Sequence, residues 1–453
     1  MTFPNPSYAL FNNALSKTLN LDAGALNTNR GCRFLLNNGH DAPLKPLAMA
    51  YAGHQYAHFT MLGDGRAHLL LEHESSEGLV DVHLKGSGPT PFSRGFDGRS
   101  TLRSALLEYL MSEAMHALGV PTTRSLAVIN TGDAIDRIGP QDAAVLVRVA
   151  KSHLRVGTFE YAAHRGDNDA LKALADFAIE RHDADVSKSP DRYLMWYKRV
   201  IARQAALIAH WQAIGFVHGV MNTDNTAISG ETIDYGPCAF IDRYDTKAVY
   251  SSIDVRGRYA YGNQPYIASW NLAKLGEAML PLIDDDPNVA RRKAHEALAD
   301  FGPQFERHYR DHMGRKLGLA SIKDGDDELI DTLLGLMKAH EADYTETFTA
   351  LTTQRDAGGS LFDSSDYAAW KTRWSTRLQE EHAPFARMQA HNPVIIPRNH
   401  LVKSALDKAA HDGVFDDFMG LLEALRHPFD TNAPRAYRTV PKNNEPFVTY
   451  CGT

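Results

Sequence analysis

The stretch Gly215-Phe-Val-His-Gly-Val-Met-Asn-Thr-Asp224-Asn225, closely followed by Ile233-Asp234-Tyr-Gly236, decides how the chain is read. Asn222, Thr223, Asp224 and Asn225 are short polar residues that cap helices and build turns, so a purely structural turn is one reading. The other reading takes their chemistry. Asn225 and Asp234, nine residues apart, offer hard oxygen donors of the kind that suit magnesium and, through it, the charge of a polyphosphate. Asp224 adds a carboxylate able to accept a proton.

Working outward, MWYKRVIARQAALIAHWQAI predicts a helix that stops at Gly215. Residues 69–84 predict two strands joined by a polar turn at Ser75 to Gly78. In the second strand Val80, Val82 and Leu84 share one face while Asp81, His83 and Lys85 share the other, so Lys85 points away from the apolar side. Residues 102–118 carry a helical apolar stripe with Glu108 in the middle, ended by Gly119-Val-Pro121. Two further strands are expected at Ser125 to Ile129 and Ala143 to Ala150, where Val145, Val147 and Val149 alternate with Leu146 and Arg148. Beyond residue 265 the pattern is helical, as in WNLAKLGEAMLPLI and DELIDTLLGLMKAH.

A lysine on a strand, a glutamate on the next helix, then an asparagine and an Asp-X-Gly aspartate follow the order in which protein kinases hold ATP and its metals. Taken singly, Lys85 and Glu108 are residues that ordinarily sit in water. One position departs from that order. Where kinases place His-Arg-Asp, this chain reads His218-Gly-Val220, so the usual catalytic base is missing and Asp224 is the available replacement. Upstream, the small residues of Gly63-Asp-Gly-Arg66 would let backbone amides approach a phosphate, although such turns are common.

With 453 residues the chain exceeds one small core, and its 43% hydrophobic and 23% charged residues are those of an ordinary soluble protein. A net charge of -7 argues against a nucleic-acid-binding surface. No stretch approaches the roughly 20 apolar residues that span a bilayer, and no signal peptide is read, so a cytoplasmic protein without a membrane partner is expected. Cys32, Cys238 and Cys451 are too few and scattered for a disulfide framework.

Several long segments in one order, YAGHQYAHFTMLGDGRA, LKGSGPTPFSRGFDGRSTLRSALLEYL, LVRVAKSHLRVGTFEYAA, HGVMNTDNTAISGETIDYGP and NPVIIPRNHLV, resemble the selenoprotein O family of kinase-like protein adenylyltransferases. The resemblance covers nearly the whole chain. It implies an α+β, kinase-like bilobal fold with an N-terminal extension (1–60), an N-lobe (61–150), a C-lobe (151–300) and a mostly helical C-terminal region (301–453). ATP would lie flipped, with its α-phosphorus toward a Ser, Thr or Tyr hydroxyl of a protein acceptor. By motif, Gly63, Gly65, Arg66, Lys85, Asp97 and Gly98 would contact ATP, Glu108 would orient Lys85, and Arg148 and Arg155 would grasp the polyphosphate. Asp224 would be the proton acceptor, while Asn225 and Asp234 would ligate Mg2+ or Mn2+ and Asp234 would also meet the nucleotide. A monomer is expected.

An unperturbed aspartate is already ionised at neutral pH, so no special tuning of Asp224 is expected. The rival readings are a conventional kinase, a manganese-dependent protein uridylyltransferase, and an ATP-binding pseudokinase scaffold. His54 and His58 have the spacing of a zinc-binding helix, but Gln55 stands where such a motif needs glutamate, and local hydrogen bonding is the expectation. Ala57 replaces a glycine that the family pattern leads one to expect. Cys451 lies where eukaryotic relatives carry selenocysteine, which raises a redox role for it or for Cys238.

Overall fold

Apolar residues at alternate positions favour strands that bury one face, and the segments with that pattern form the centre of an antiparallel sheet. The structure is a computed structural model that describes residues 2–38, 44–76, 78–137, 139–355, 357–438 and 447–449. Among these, eight strands precede residue 151: β1 (Ser7–Phe11), β2 (Ala52–Gln55), β3 (His58–Met61), β4 (Ala67–Ser75), β5 (Gly78–Lys85), β6 (Ser100–Thr101), β7 (Arg124–Arg137) and β8 (Gly139–Ala150). Six of them make one sheet in the order β1-β7-β8-β5-β4, with β6 paired to β8. The β2–β3 hairpin stands apart from it.

Both expected strand pairs are present, but β7 and β8 continue well past the predicted ends at Ile129 and Ala143. Polar residues from Asn130 to Asp142 hide the pairing from a reading based on apolar alternation, and the register shifts between Asn130 and Ala134. Val80, Val82, Leu84, Val145, Val147 and Val149 turn to one face, where Phe3, Leu15, Leu19 and Leu35 of the N-terminal segment cover them. Leu146 turns the other way, onto the helix Leu102–Ala117.

This helix starts at Thr101, whose Oγ1 accepts from the Ser104 amide at 3.2 Å. It is apolar nearly all round because it is enclosed on both sides. The sheet covers one side, and Val402, Leu406, Phe418 and Leu421 from the helices Asn399–Asp407 and Asp416–Leu425 cover the other. The late apolar segment is thus core, as expected from its stripe, and each such buried side chain contributes about 1.5–3 kcal/mol. The distant C-terminal helices thereby fix the helix that carries Glu108.

The rest of the described chain is mainly helical. The helix Arg192–Ile214 ends at Gly215, whose φ of 77° is the left-handed value that favours glycine, and it packs on the helix Gln264–Ile283. After it, the short strands Phe216–Val217 and Ala239–Phe240 pair and bracket the segment quoted at the outset. Asn399 holds that bracket: its Nδ2 donates to Phe240 O at 2.9 Å and its Oδ1 accepts from the Phe240 amide at 3.3 Å. Beside it, buried Arg398 pairs with Asp343 at 2.6 Å and Asp242 at 2.8 Å. No helix among the described residues is long and apolar enough to cross a membrane.

The β2–β3 turn consists of Tyr56 and Ala57, both left-handed at φ 51° and 70°. Alanine there carries a Cβ penalty of about 1–2 kcal/mol, while glycine would cost about 0.5–1 kcal/mol in chain entropy. Ala57→Gly is therefore expected to raise the thermal unfolding midpoint slightly, by the equivalent of about 0.5–1 kcal/mol; an unchanged or lower midpoint at the same scan rate would contradict the strain argument.

Candidate active site

The alternation in β5 puts His83 and Lys85 on the face opposite the apolar one, and β8 pairs Arg148 directly with His83. Lys85 and Glu108 are 8% and 3% exposed, so neither sits in water as such residues ordinarily do. The Lys85 ammonium donates to Glu108 Oε1, and lies 2.6 Å from Asp234 Oδ1. Arg148 reaches the same Oδ1 at 2.8 Å, and Arg155, at the start of the helix Val156–His164, reaches Asp234 Oδ2 at 3.3 Å. Three cations from three separate elements thus meet on one carboxylate. Burial alone would raise the Asp234 pKa, but these charges outweigh it and hold the carboxyl well below its ordinary range. Asp234 also adopts a left-handed φ of 63°, a strain of about 1–3 kcal/mol that the ion pairs offset.

The cleft around this cluster has a volume of about 190 Å³, and its walls include Arg66, Lys85, Arg148, Arg155, Asp224 and Asn225. Asn225 Nδ2 donates to Val220 O at 3.0 Å, which fixes its amide within the 215–225 segment. His218 ties that segment to the next one, since its Nε2 lies 2.8 Å from Ile233 O, next to Asp234. The sequence-based pairing of Lys85 with Glu108 and the gathering of Arg148, Arg155, Asn225 and Asp234 are therefore all present in the geometry.

Gly63 and Gly65 occupy the loop before β4, under the segment that follows β5. A Cβ on Gly63 would lie 2.3 Å from the Phe92 ring, and one on Gly65 3.1 Å from Phe92 O. Thr90 Oγ1 donates to Asp64 O at 2.6 Å, which locks the two loops together. Packing against Phe92 thus accounts for these glycines at least as directly as a bound phosphate. Gly98 is as tightly held, against Gly88. Asp97 is exposed, and both its oxygens accept from Arg137 at 2.8 Å, so the structure does not bring its side chain to the cluster.

Sequence reasoning missed Asp64, His83, Tyr51 and Gly53. Asp64 accepts from His83 Nε2 at 3.0 Å and pairs with Arg155 at 3.5 Å, while Arg148 lies 3.3 Å from His83 Nδ1. Burial raises the Asp64 pKa less than His83 and Arg155 lower it, and the balance is about 2. The Arg155 guanidinium stacks over Tyr51 at 4.5 Å. These residues form a floor that aims the arginines. The signal was their setting in the motif around Gly63, which periodicity alone does not decode.

Asp224 requires a correction. Its side chain is buried under the β2–β3 hairpin, so closely that a Cβ on Gly53 would lie 2.3 Å from Asp224 Oδ1. That oxygen has no hydrogen-bond partner. Burial pushes the pKa up to about 6, against the opposing pull of Arg155 and a hydrogen bond from Gln55. The expectation of an untuned aspartate fails because the N-terminal hairpin removes its water. The same hairpin separates His54 and His58 onto two strands, not one helix, and His54 Nδ1 pairs with Glu160 at 2.5 Å. Cys238 is buried, with its Sγ 3.7 Å from Tyr235 O, and Cys451 lies outside the described residues.

Metal chemistry fits the donor set in a specific way. Among the described residues no three His, Cys, Asp or Glu side chains converge to hold an ion. Asp234 and Asn225, both on the wall of the cleft, instead provide a partial shell of hard oxygens, of the kind magnesium completes with substrate phosphates and water.

A deep cleft that collects lysine and arginine around one carboxylate, beside a buried second carboxylate, is suited to handling a nucleotide polyphosphate. The family model described as protein adenylyltransferase SelO matches residues 1–426. A protein nucleotidyltransferase YdiU of Geobacillus kaustophilus is 51% identical over 455 residues, covering 99% of this chain and 94% of its own length. Proteins of the same name from Clostridium perfringens and Brevibacillus brevis are each 48% identical, over 99% of this chain and 93% of theirs. The chain is a nucleotidyltransferase. It belongs to the SelO family.

Because the folded Asp224 pKa of about 6 exceeds the ordinary value of 3.8, its charge destabilises the fold. The cost is absent below about pH 4, grows between the two values and is complete above about pH 6. Asp224→Asn is expected to be more stable than wild type at pH 8, by up to about 3 kcal/mol, with the gap closing toward pH 4. Unfolding midpoints across that range check the sign; a variant less stable at pH 8 would refute it.

Proposed function

We propose that this protein is a kinase-like, bilobal adenylyltransferase that moves AMP from ATP onto Ser, Thr or Tyr hydroxyls of proteins. The observation that carries this reading is the pairing of a cation cluster on Asp234 with a buried, partly unpartnered Asp224, while the kinase base position is Val220. In the reaction, Asp224 accepts the proton of the acceptor hydroxyl, the freed oxygen bonds to the α-phosphorus, and the bond from that phosphorus to the β-bridging oxygen breaks. Pyrophosphate leaves with the electron pair. Lys85, Arg148 and Arg155 stabilise its charge in a site shielded from water, and Glu108 orients Lys85. Gly63, Gly65, Arg66, Asp97 and Gly98 would meet the remainder of the nucleotide. Asn225 and Asp234 would hold Mg2+ or Mn2+, which neutralises phosphate charge when bound.

A base with a pKa of about 6 is mostly ionised at neutral pH yet basic enough to take a proton. Transfer is expected to fall on the acid side of about pH 6, and Asp224→Asn to lower it by about 10²–10⁴-fold. The pH profile of transfer rate checks this, and a profile flat down to pH 4.5 would remove Asp224 from the role.

The reading as a whole is tested with ATP labelled at the α- or the γ-phosphate, mixed protein extract and either metal, with Asp234→Ala as control. Label on protein from the α-position alone, absent in the control, is the expected outcome. Label from the γ-position alone would make the enzyme a kinase, and preference for α-labelled UTP under manganese would make it a uridylyltransferase.

A further inference from the structure

On the side of the β2–β3 turn lies a second, larger groove of about 740 Å³, separate from the cation cluster. Tyr56 and Ala57 form one wall, and the segment from Ile253 to Arg258, with Tyr266, forms the other. Its inner wall is bonded to the 215–225 segment. Asn222, two residues before Asp224, accepts from the Tyr259 hydroxyl at 2.5 Å and from the Tyr56 amide at 3.3 Å, and the rings of Tyr56 and Tyr259 meet edge to face at 5.0 Å. The groove wall is thus bonded to a residue that stands two positions before Asp224 in the chain.

The groove is lined by two arginines and one aspartate, although the whole chain carries -7. Arg256 is exposed, and no described residue pairs with it. Arg258 lies 4.9 Å over the Trp270 ring, and its buried Nε has no hydrogen-bond partner. The acid in the wall, Asp254, is turned inward and makes no ion pair with them: it is 4% exposed and its two oxygens accept from the backbone amides of Arg258 and Tyr259 at 2.9 Å and 2.8 Å. Beside the arginines stand large apolar side chains turned to solvent, Val255 at 91% and Tyr266 at 69% exposure. The exposed Arg256, backed by the half-buried Arg258 on the Trp270 and Tyr259 rings, stands next to exposed apolar groups and complements an acidic segment that also carries an apolar anchor.

We propose that this groove docks the acceptor polypeptide, as an extended segment with Asp or Glu against Arg256 and Arg258 and an apolar residue against Val255 and Tyr266, a few residues from the modified hydroxyl. This rests on the transfer reading above for the identity of the occupant. An extended chain covers about 3.3–3.6 Å per residue, so a few residues suffice to bring a hydroxyl from the groove to Asp224. The groove would thus select acceptors by charge and leave the nucleotide end untouched.

The test uses the full chain with α,β-methylene ATP, which fills the nucleotide seat without transferring AMP. Fluorescent peptides with a central Tyr, Ser or Thr flanked by Asp and Leu, or by Lys and Leu, are titrated by anisotropy. The acidic peptide is expected to bind at least about fivefold tighter than the basic one, and Arg256→Glu to reverse that order. Arg256 is exposed and outside the catalytic cluster, so nucleotide affinity stays unchanged in the variant and reports that it is folded. Equal binding of the two peptides, or an acidic preference that survives Arg256→Glu, overturns the proposal. α-Labelled ATP is then supplied to the same peptides: label on the acidic set with a raised KM and unchanged kcat in the variant supports both readings. Charge-dependent binding with no label on any peptide would sink the transfer reading alone, and leave the groove as an acidic-peptide site.

Discussion

The carboxylate of Asp234 is the point on which the site depends. Lys85 from β5, Arg148 from β8 and Arg155 from the start of a helix all turn to it, within 2.6–3.3 Å. Without that anion three buried cations would share only Glu108 and Asp64 as counter-charges, and like charges about 4 Å apart repel by about 4 kcal/mol even at an effective dielectric constant near 20. Without the cations a buried carboxylate at a strained backbone position would have no compensation. Each side makes the other tolerable. That mutual requirement holds the sheet, the helix Leu102–Ala117 and the 215–236 segment in one arrangement.

Rigid supports make the arrangement precise. Glu108 is held on a helix enclosed between the sheet and two C-terminal helices, so the residues from Val402 to Leu425 act on the site by packing alone. Arg398 and Asn399 do the same for the strand after Asp234. Underneath, Asp64 and His83 spend their polar atoms on Arg155 and Arg148, which leaves those long side chains few alternatives. Order in an arginine costs up to about 2 kcal/mol of side-chain entropy, and a preformed floor incurs that cost during folding, before any ligand arrives.

What could be read in the sequence follows from range. Lys85 and Glu108 lie on elements whose periods, two and about 3.6, declare their faces within a few residues, and the structure pairs them as the reading expected. Asn225 and Asp234 stood out only through their order after Lys85 and Glu108, since short polar residues also build plain turns, and the structure brings both to the wall of one cleft. His83 shared its face with Lys85, yet its role depends on Asp64 and Arg148, which no local pattern connects to it. The long β7–β8 hairpin was hidden by polar residues whose pairing is a backbone matter. Likewise Asp224 looked ordinary because the hairpin that buries it comes from residues 52–61, a region with no strong pattern of its own.

That hairpin joins the two ends of the argument. By excluding water it makes Asp224 a stronger base, and the same burial costs the fold stability, which is how a site specialised for chemistry differs from one selected only for packing. Its turn, Tyr56 and Ala57, also walls the groove where Arg256 stands, and through Asn222 it is bonded to the segment that bears Asp224. In the proposed reaction a hairpin in this position would couple two requirements that could otherwise vary separately: how basic Asp224 is, and where an acceptor polypeptide lies beside it. Displacing the hairpin would let water reach Asp224 and open the groove wall at once, so in the transfer and docking proposed above a single element of structure would set both proton acceptance and acceptor placement.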